Sequence, residues 1–257
     1  MGEDVRDAWG RYAAAFAAEA GAGERESLRR LVALCDLGPG ALVCDVASGA
    51  GYAGFAFARA GCRVILTDPT HEMLLAGRRG WGERGLEGEA VLVETWAENL
   101  PFAGGCLDAV VAHRAPHQFA DPEAWVTECR RVLKPDGVLG LADQSPPDGW
   151  EDWHNELERW RDPTHERARS PGEWRRLVEG AGFAVRAGEI VYQTHDVQHW
   201  MDRVGCPPER RQQALRMLRD IPAPIRDDYR PHTVDGRLYM RTPQCVLVAV
   251  ADRRARP

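Results

Sequence analysis

The sequence has almost no lysine, no C-x-x-C pair and no long apolar run, and each absence excludes a class of protein. Lys134 is the only lysine among 33 basic residues, the formal net charge is −6, and no basic stripe is present that could bind a nucleic-acid backbone. No stretch of 18 apolar residues occurs, which argues against a membrane span. The seven cysteines indicate reduced thiols rather than a disulfide framework. We therefore expect a cytoplasmic protein without nucleic-acid or membrane partners.

Short β-branched runs alternate with helical patterns through the first half of the 257 residues. Such alternation predicts a parallel sheet with helices on both faces, and the continuous apolar runs fit strands that are covered on both sides. The predicted strands are residues 41–46, 63–67, 90–93, 107–112 and 138–142, and the predicted helices between them are 52–60, 73–81 and 122–133.

We interpret residues 1–257 as a single α/β domain. An N-terminal helix is predicted over residues 5–36 and the core over about 37–194, with a helix at 171–180 and a strand at 183–193. Residues 195–231 are helical but interrupted by prolines, and are too long for an ordinary loop, so they predict a cap over the site. Residues 244–251 read as the final strand. Trp150, Trp153, Leu157 and Trp160 recur at helical spacing, which favours packing over recognition.

The segment Asp45-Val-Ala-Ser-Gly49-Ala-Gly51 follows the first strand and is the strongest chemical signal. Glycines there let a ligand approach the backbone, and the next helix presents its free N–H groups. Asp68 ends the second strand, where it can accept hydrogen bonds from ribose hydroxyls. The two features predict a nucleoside cofactor, and the glycines alone leave a nicotinamide dinucleotide open.

Residues 8 to 185 resemble the class I S-adenosylmethionine (SAM)-dependent methyltransferases, most closely the ubiquinone/menaquinone C-methyltransferase-like group. The segment Val43 to Gly51 is similar to the first motif of that group. Further similar segments, in the same order, are Thr67-Asp-Pro-Thr-His-Glu-Met-Leu, Ala97-Glu-Asn-Leu-Pro-Phe, Ala115-Pro-His-Gln-Phe and Arg131-Val-Leu-Lys-Pro-Asp-Gly.

The resemblance implies a Rossmann-like sheet of seven mostly parallel strands with an antiparallel last strand, helices on both faces and a helical cap. It also implies SAM as cofactor, with S-adenosylhomocysteine (SAH) as the product. Asp68 is then placed on the ribose and Met73 against the adenine. The full set of implied cofactor-binding residues is Asp45, Ala47, Gly49, Gly51, Asp68, Met73, Trp96, Ala97, Glu98 and His113.

Three positions depart from the family pattern. Trp96 stands where the group usually has an aspartate near the adenine amino group. Gln118 replaces a histidine and His113 an arginine, and both lie where SAM and the acceptor should meet. The substrate therefore does not follow from the motifs.

Candidate catalytic residues follow the fourth and fifth strands. His117 is the first candidate for a general base, because it lies beside the expected sulfonium and histidine titrates near neutrality. The alternative is that His117 only packs the following turn. His113 and Asp143 are further candidates, each with a structural alternative. No metal site is expected, although His195 and His199 are spaced to share one helix face.

The expected function is methyl transfer to an O, N or C atom of a small molecule by a monomer or homodimer. Arginine in place of lysine, with abundant alanine and glycine, suggests a bacterial protein of secondary metabolism. In the cap, Tyr229, Arg230 and His232 are interpreted mainly as a solvated face. Two alternatives stay open: a SAM-binding enzyme that does not methylate, such as a cyclase or an electrostatic catalyst, and a SAM-binding protein without turnover.

Overall fold

A computed structural model describes residues 5–18, 25–86, 88 and 90–252, and its centre is one mixed sheet. The strand order is β3-β2-β1-β4-β5-β8-β6, and the short β7 pairs with β8. The strands are β1 Leu42–Val46, β2 Arg63–Asp68, β3 Val91–Glu94, β4 Leu107–His113, β5 Leu133–Gln144, β6 Phe183–Asp196, β7 His232–Val234 and β8 Arg237–Ala251. Strands β1 to β5 are parallel, and β8 runs antiparallel to β5, β6 and β7. The predicted fold class is confirmed, with β7 as an additional strand.

Helices cover both faces of the sheet. The helices are α1 Val5–Ala18, α2 Glu26–Cys35, α3 Tyr52–Arg59, α4 His71–Glu83, α5 Pro122–Val132, α6 Glu151–Arg161, α7 Pro171–Gly180, α8 Val197–Asp202, α9 Pro208–Arg219 and α10 Arg226–Tyr229. Trp125 of α5 and Trp174 of α7 are fully buried against one face. Leu31 of α2, Phe57 of α3 and Leu74 of α4 are buried against the other. The central strands of the sheet are therefore covered on both sides, as their apolar residues require.

The single N-terminal helix predicted over residues 5–36 is wrong. The described residues there form α1 and α2, and Arg25 has the extended backbone angles φ −66° and ψ 138° directly before α2. An extended residue cannot continue a helix, so α2 begins anew at Glu26. The part of the predicted helix over residues 19–24 lies outside the described residues.

The predicted bounds of the cap and of the last strand also need correction. His195 and Asp196 belong to β6, and the cap begins at Val197 because the Asp196 carboxylate caps α8 by accepting hydrogen bonds from the N–H groups of Gln198 and His199. The last strand begins at Arg237 rather than at 244. Pro243 argued against a strand at this position, because proline is rare inside a sheet. Pro243 lies beyond the last pairing with β5, where β8 pairs only with β6 and β7.

The cap packs on α6 through its own apolar cluster. Leu157 of α6 is fully buried with Trp200, Met201 and Leu218 of the cap, and the three tryptophans of the predicted stripe lie partly buried at its margin. Tyr229 is fully buried, its ring centroid 4.8 Å from that of Trp153. The interpretation of Tyr229 as part of a solvated face is therefore wrong, because α10 turns this side chain into the cluster.

Candidate active site

A cavity of about 620 Å³ opens at the carboxyl ends of the parallel strands, beneath the cap. This is the edge at which open α/β sheets bind ligands, and the volume is typical of small-molecule sites. All of the predicted site residues line it except Gly51. The cavity has two ends, one around the glycine-rich loop after β1 and one around the ends of β4, β5 and β8.

Asp45 anchors the glycine-rich loop from below. Its side chain is buried, and Oδ2 accepts a hydrogen bond of 2.7 Å from the N–H of Gly54 in the first turn of α3. Burial raises the pKa of Asp45 to about 7, against the opposing effect of the Gly54 hydrogen bond. The second oxygen, Oδ1, has no partner, and neither does the buried hydroxyl of Ser48. Both residues line the cavity, so both are candidates for contact with a bound ligand.

Gly49 and Gly51 have different roles in the loop. Both have positive φ, +54° and +87°. A Cβ on Gly49 would meet no other part of the protein closer than Met73 Sδ at 3.9 Å, and Gly49 lines the cavity. A Cβ on Gly51 would lie 2.8 Å from the Phe55 ring. Gly49 therefore keeps space for a ligand, whereas Gly51 lets the loop pack on α3.

Asp68 ties the ends of β1 and β2 together. Its Oδ2 accepts from Gly49 N at 2.8 Å, and its Oδ1 accepts from Thr70 N at 2.9 Å. Burial raises its pKa to about 6 despite these hydrogen bonds. A carboxylate can accept about four hydrogen bonds, so Asp68 can hold the loop, accept from the Thr70 side chain and still accept from a ligand hydroxyl group.

The remaining residues of this end form a partly apolar wall. Met73 and Ala97 are buried, whereas Trp96 is 46% exposed at the cavity rim. The guanidinium of Arg6 lies 5.7 Å from the centre of the Trp96 ring. Glu98 accepts a long hydrogen bond from Asp121 N and also lines the cavity.

His117 and Asp143 form a hydrogen-bonded pair at the other end. His117 Nδ1 lies 2.7 Å from Asp143 Oδ1, and its backbone N–H donates to Asp143 Oδ2 at 2.6 Å. The His117 side chain is 12% exposed, and that of Asp143 is buried. A carboxylate that accepts from Nδ1–H leaves Nε2 as the basic nitrogen. The sequence predicted His117 and Asp143 as separate candidates, and the structure brings them into direct contact.

A second histidine fixes the His117 ring from above. The ring of His165 stacks on it, with centroids 5.6 Å apart. His165 Nε2 lies 2.7 Å from Asn155 Oδ1, which also accepts from Ala168 N, so Nε2 carries the proton. Burial lowers the pKa of His165 to about 2, which keeps this ring neutral beside His117. Sequence reasoning missed this contact because His117 and His165 are far apart in the chain, and no local pattern relates their positions.

His113 ends β4 beside α2, and Arg114 follows it directly. His113 Nε2 lies 3.1 Å from the Ser27 hydroxyl. Burial, together with the charges of Arg114 and Arg25, lowers the pKa of His113 well below its ordinary value. His113 is therefore a neutral hydrogen-bonding group of the cavity wall. Arg114 has a φ of +56°, which is unusual for a non-glycine residue and bends the chain at the site.

The sequence analysis did not assign to the site the residues that β6, β8 and the cap bring to the cavity. They are His195, Thr242 and Gln244 of the two strands and Trp200 and Arg203 of the cap. His195 Nε2 lies 2.9 Å from Thr242 Oγ1. His195 lies on a strand and His199 is exposed on α8, so the predicted shared helix face is wrong. The Asp196 cap was the signal in the sequence that separates the two.

All seven cysteines lie within the described residues and all are free thiols. Among the described residues, no helix is both long and apolar enough to cross a membrane. Groups of three or more His, Cys, Asp or Glu that could hold a metal ion are likewise absent from that part of the chain.

Comparison with known proteins identifies the family. Residues 44–141 match the family described as a methyltransferase domain. The chain is 31% identical to an uncharacterized methyltransferase, YcgJ, of Bacillus subtilis. The match extends over 198 residues and covers 73% of this chain and 74% of that protein. The chain belongs to this methyltransferase family. The crystal structure of YcgJ superposes with a TM-score of 0.82 at 25% identity, covering 90% of this chain and all of that one.

Two further similarities limit what membership of the family implies about function. The ubiquinone/menaquinone C-methyltransferase UbiE of Cellvibrio japonicus is 32% identical over 118 residues, 45% of either protein. The predicted resemblance to that group is therefore confirmed over a stretch of 118 residues. A cyclase, SpnF, shares the fold with a TM-score of 0.62 and 18% identity, over 87% of this chain and 81% of that one. That similarity shows the fold alone.

Proposed function

We propose that this methyltransferase uses SAM and transfers its methyl group to a small-molecule acceptor, at an O, N or C atom that loses a proton, in bacterial secondary metabolism. The observation that carries the proposal is the His117–Asp143 pair, which shares one cavity with the loop anchored by Asp45 and Asp68. A base and a nucleoside site at opposite ends of one cavity are what proton removal coupled to methyl transfer requires.

The residues of the glycine-rich end fit SAM. Asp68 presents a buried carboxylate suited to ribose hydroxyls, and Gly49 leaves space for a close approach of the ligand. The unpartnered Asp45 Oδ1 and Ser48 Oγ suit donors of a cationic amino-acid group. Asp45 is ionised more readily once a positive charge lies beside it, which favours a cationic cofactor over a neutral one.

At the acceptor end, Asp143 holds Nδ1–H of His117 and so directs Nε2 to the acceptor. SAM, when bound, would supply an activated methyl group for the acceptor atom, with SAH as the product. His117 Nε2 takes the proton that the acceptor O–H, N–H or activated C–H gives up. His165 keeps the His117 ring in place, because it is neutral and stacked on it.

Product analysis tests the proposal. The protein is incubated with SAM carrying a trideuterated methyl group and with a small-molecule extract of the source cells. We expect SAH to accumulate and one extract component to gain the labelled methyl group. SAM binding without SAH formation would favour the cyclase, electrostatic-catalyst or non-catalytic alternatives, and absence of SAM binding would contradict the cofactor assignment itself.

A further inference from the structure

The floor of the acceptor end is a row of polar side chains from three neighbouring strands, here called the polar shelf: Gln144 of β5, Thr242 and Gln244 of β8, and His195 of β6. Gln144 and Gln244 are directly opposite each other in the β5–β8 pair. Thr242 and Gln244 are two residues apart and so share one face of the sheet. All four line the cavity.

Three members of the polar shelf are already engaged within the protein. The Gln144 amide lies 3.4 Å from His165 Nδ1, and Thr242 and His195 bond to each other at 2.9 Å. Gln244 is different. Its side chain is only 2% exposed, and its Oε1 is buried with no hydrogen-bond partner. A buried amide oxygen without a partner is unfavourable because it has lost its hydrogen bonds to water, so its presence on a cavity wall indicates a ligand group that donates to it.

The surroundings of the polar shelf describe the rest of that ligand. Trp200 and Phe119 are buried apolar walls of the same cavity and suit a flat apolar body. The His117–Asp143 pair lies near the shelf, because His165 stacks on His117 and its Nδ1 lies 3.4 Å from the Gln144 amide nitrogen. An acceptor that reaches both places carries two polar groups, one at His117 and one at Gln244.

We infer that Gln244 is a specificity-determining residue, which binds a second hydrogen-bond donor on a flat, aromatic methyl acceptor, while the group to be methylated faces His117. The inference rests on the proposed function for the identity of the reacting group. A site built to hydrogen-bond a ligand N–H or O–H discriminates strongly against an analogue that lacks it, because the buried partner is then left unsatisfied.

Two matched probes test the inference. Salicylamide carries a phenolic hydroxyl and an amide N–H, and N,N-dimethylsalicylamide lacks the N–H donor. Dissociation constants are measured by ligand-observed NMR with and without bound SAH. We expect the wild-type protein to bind salicylamide at least about tenfold more tightly than the dimethyl probe, and Gln244→Met, which keeps the side-chain length, to lose this preference.

Two more variants separate the role of the oxygen from a change of shape. Gln244→Glu keeps an acceptor oxygen and is expected to keep the preference. Gln212→Met alters an exposed glutamine of α9 and is expected to behave as wild type. Equal preference in Gln244→Met and the wild type, or no binding of salicylamide by the wild type, would overturn the inference. SAH affinity, measured by calorimetry on the same samples, tests the proposed cofactor independently.

Discussion

At the scale of single residues, the Asp68 carboxylate has two roles, one in the structure of the loop and one in the cavity. Its two oxygens hold the N–H groups of Gly49 and Thr70, so it shapes the loop as well as facing the cavity. The motif predicted only that Asp68 contacts the ribose. Its role in holding the loop is seen from its hydrogen bonds in the structure. The structure therefore changes the substitution that tests it: Asp68→Asn, which keeps the size and one acceptor oxygen, complements the alanine variant.

We expect Asp68→Ala to weaken SAM binding by about 1.5–3 kcal/mol, or roughly 10- to 150-fold, because hydrogen bonds to a charged group are lost. Asp68→Asn should fall between alanine and wild type. Isothermal calorimetry at pH 8, where the carboxyl is ionised, measures both. Glu94→Gln is the control, since this exposed carboxylate pairs with Asp68 in the strand register but does not line the cavity. Unchanged affinity in Asp68→Ala would remove it from the ribose role.

Substitution of His117 distinguishes a general base from a residue that only positions the acceptor. His117→Gln keeps a polar side chain but cannot take a proton, so we expect kcat to fall about 10²–10⁴-fold while SAM affinity stays near wild type. The assay uses the acceptor on which the wild-type protein releases SAH. His199→Gln, an exposed histidine of α8, should retain full kcat. If His117→Gln remains nearly as active as wild type, the enzyme works by proximity alone and His117 only positions the acceptor.

At the scale of elements, substitutions in the loop between β1 and α3 separate effects on ligand binding from effects on stability. We expect Gly49→Ala to cost about 1–2 kcal/mol of stability for its left-handed backbone and to weaken SAM binding more than tenfold, because its Cβ enters ligand space. Gly51→Ala should lower stability further, because its Cβ also collides with Phe55. Urea unfolding and calorimetry measure the two effects. A Gly49→Ala variant that binds SAM like the wild type would show that the loop merely turns.

The elements also show what could be predicted from the sequence. The cofactor end is built from short segments near the ends of single strands, so local motifs predicted Asp45, Gly49, Asp68 and Met73, and all four line the cavity. The acceptor end depends on β6 and β8, which are nearly 50 residues apart at the Thr242–His195 contact. Local patterns cannot supply such a pairing, and for this reason Gln244 was missed and the cap was begun two residues early.

At the scale of the whole molecule, buried ionisable groups around the cavity set how stability depends on pH. Burial lowers the pKa of His154 to about 4 and that of His165 to about 2. Burial raises the pKa of Asp45 to about 7 and that of Asp68 to about 6. The histidines and the aspartates act in opposite directions, because the unfolded chain binds more protons at the histidines and fewer at the aspartates in mildly acidic solution.

Each buried group changes the stability in a direction set by the difference between its pKa in the folded and in the unfolded state. Between pH 6.5 and about 4 the unfolded histidines are protonated and the folded ones are not, so each histidine makes the folded state less stable as the pH falls. Between pH 7 and about 3.8 the folded Asp45 holds a proton that the unfolded one has lost, so Asp45 makes the folded state more stable as the pH falls. His113 and His195, whose pKa values burial also lowers, add to the histidine side.

We therefore expect the free energy of unfolding to fall as the pH drops from 6.5 to 5, because the four shifted histidines outnumber the two aspartates, with each strongly shifted histidine contributing about 1.4 kcal/mol per pH unit. His165→Gln should flatten this dependence, because it removes one proton acceptor of the unfolded chain. Asp45→Asn should steepen it, because it removes the opposing group. Urea titrations at half-unit pH intervals measure all three slopes. A His165→Gln slope equal to or steeper than that of the wild type would mean that this histidine is protonated within the fold, and the neutral ring stacked on His117 would have to be given up.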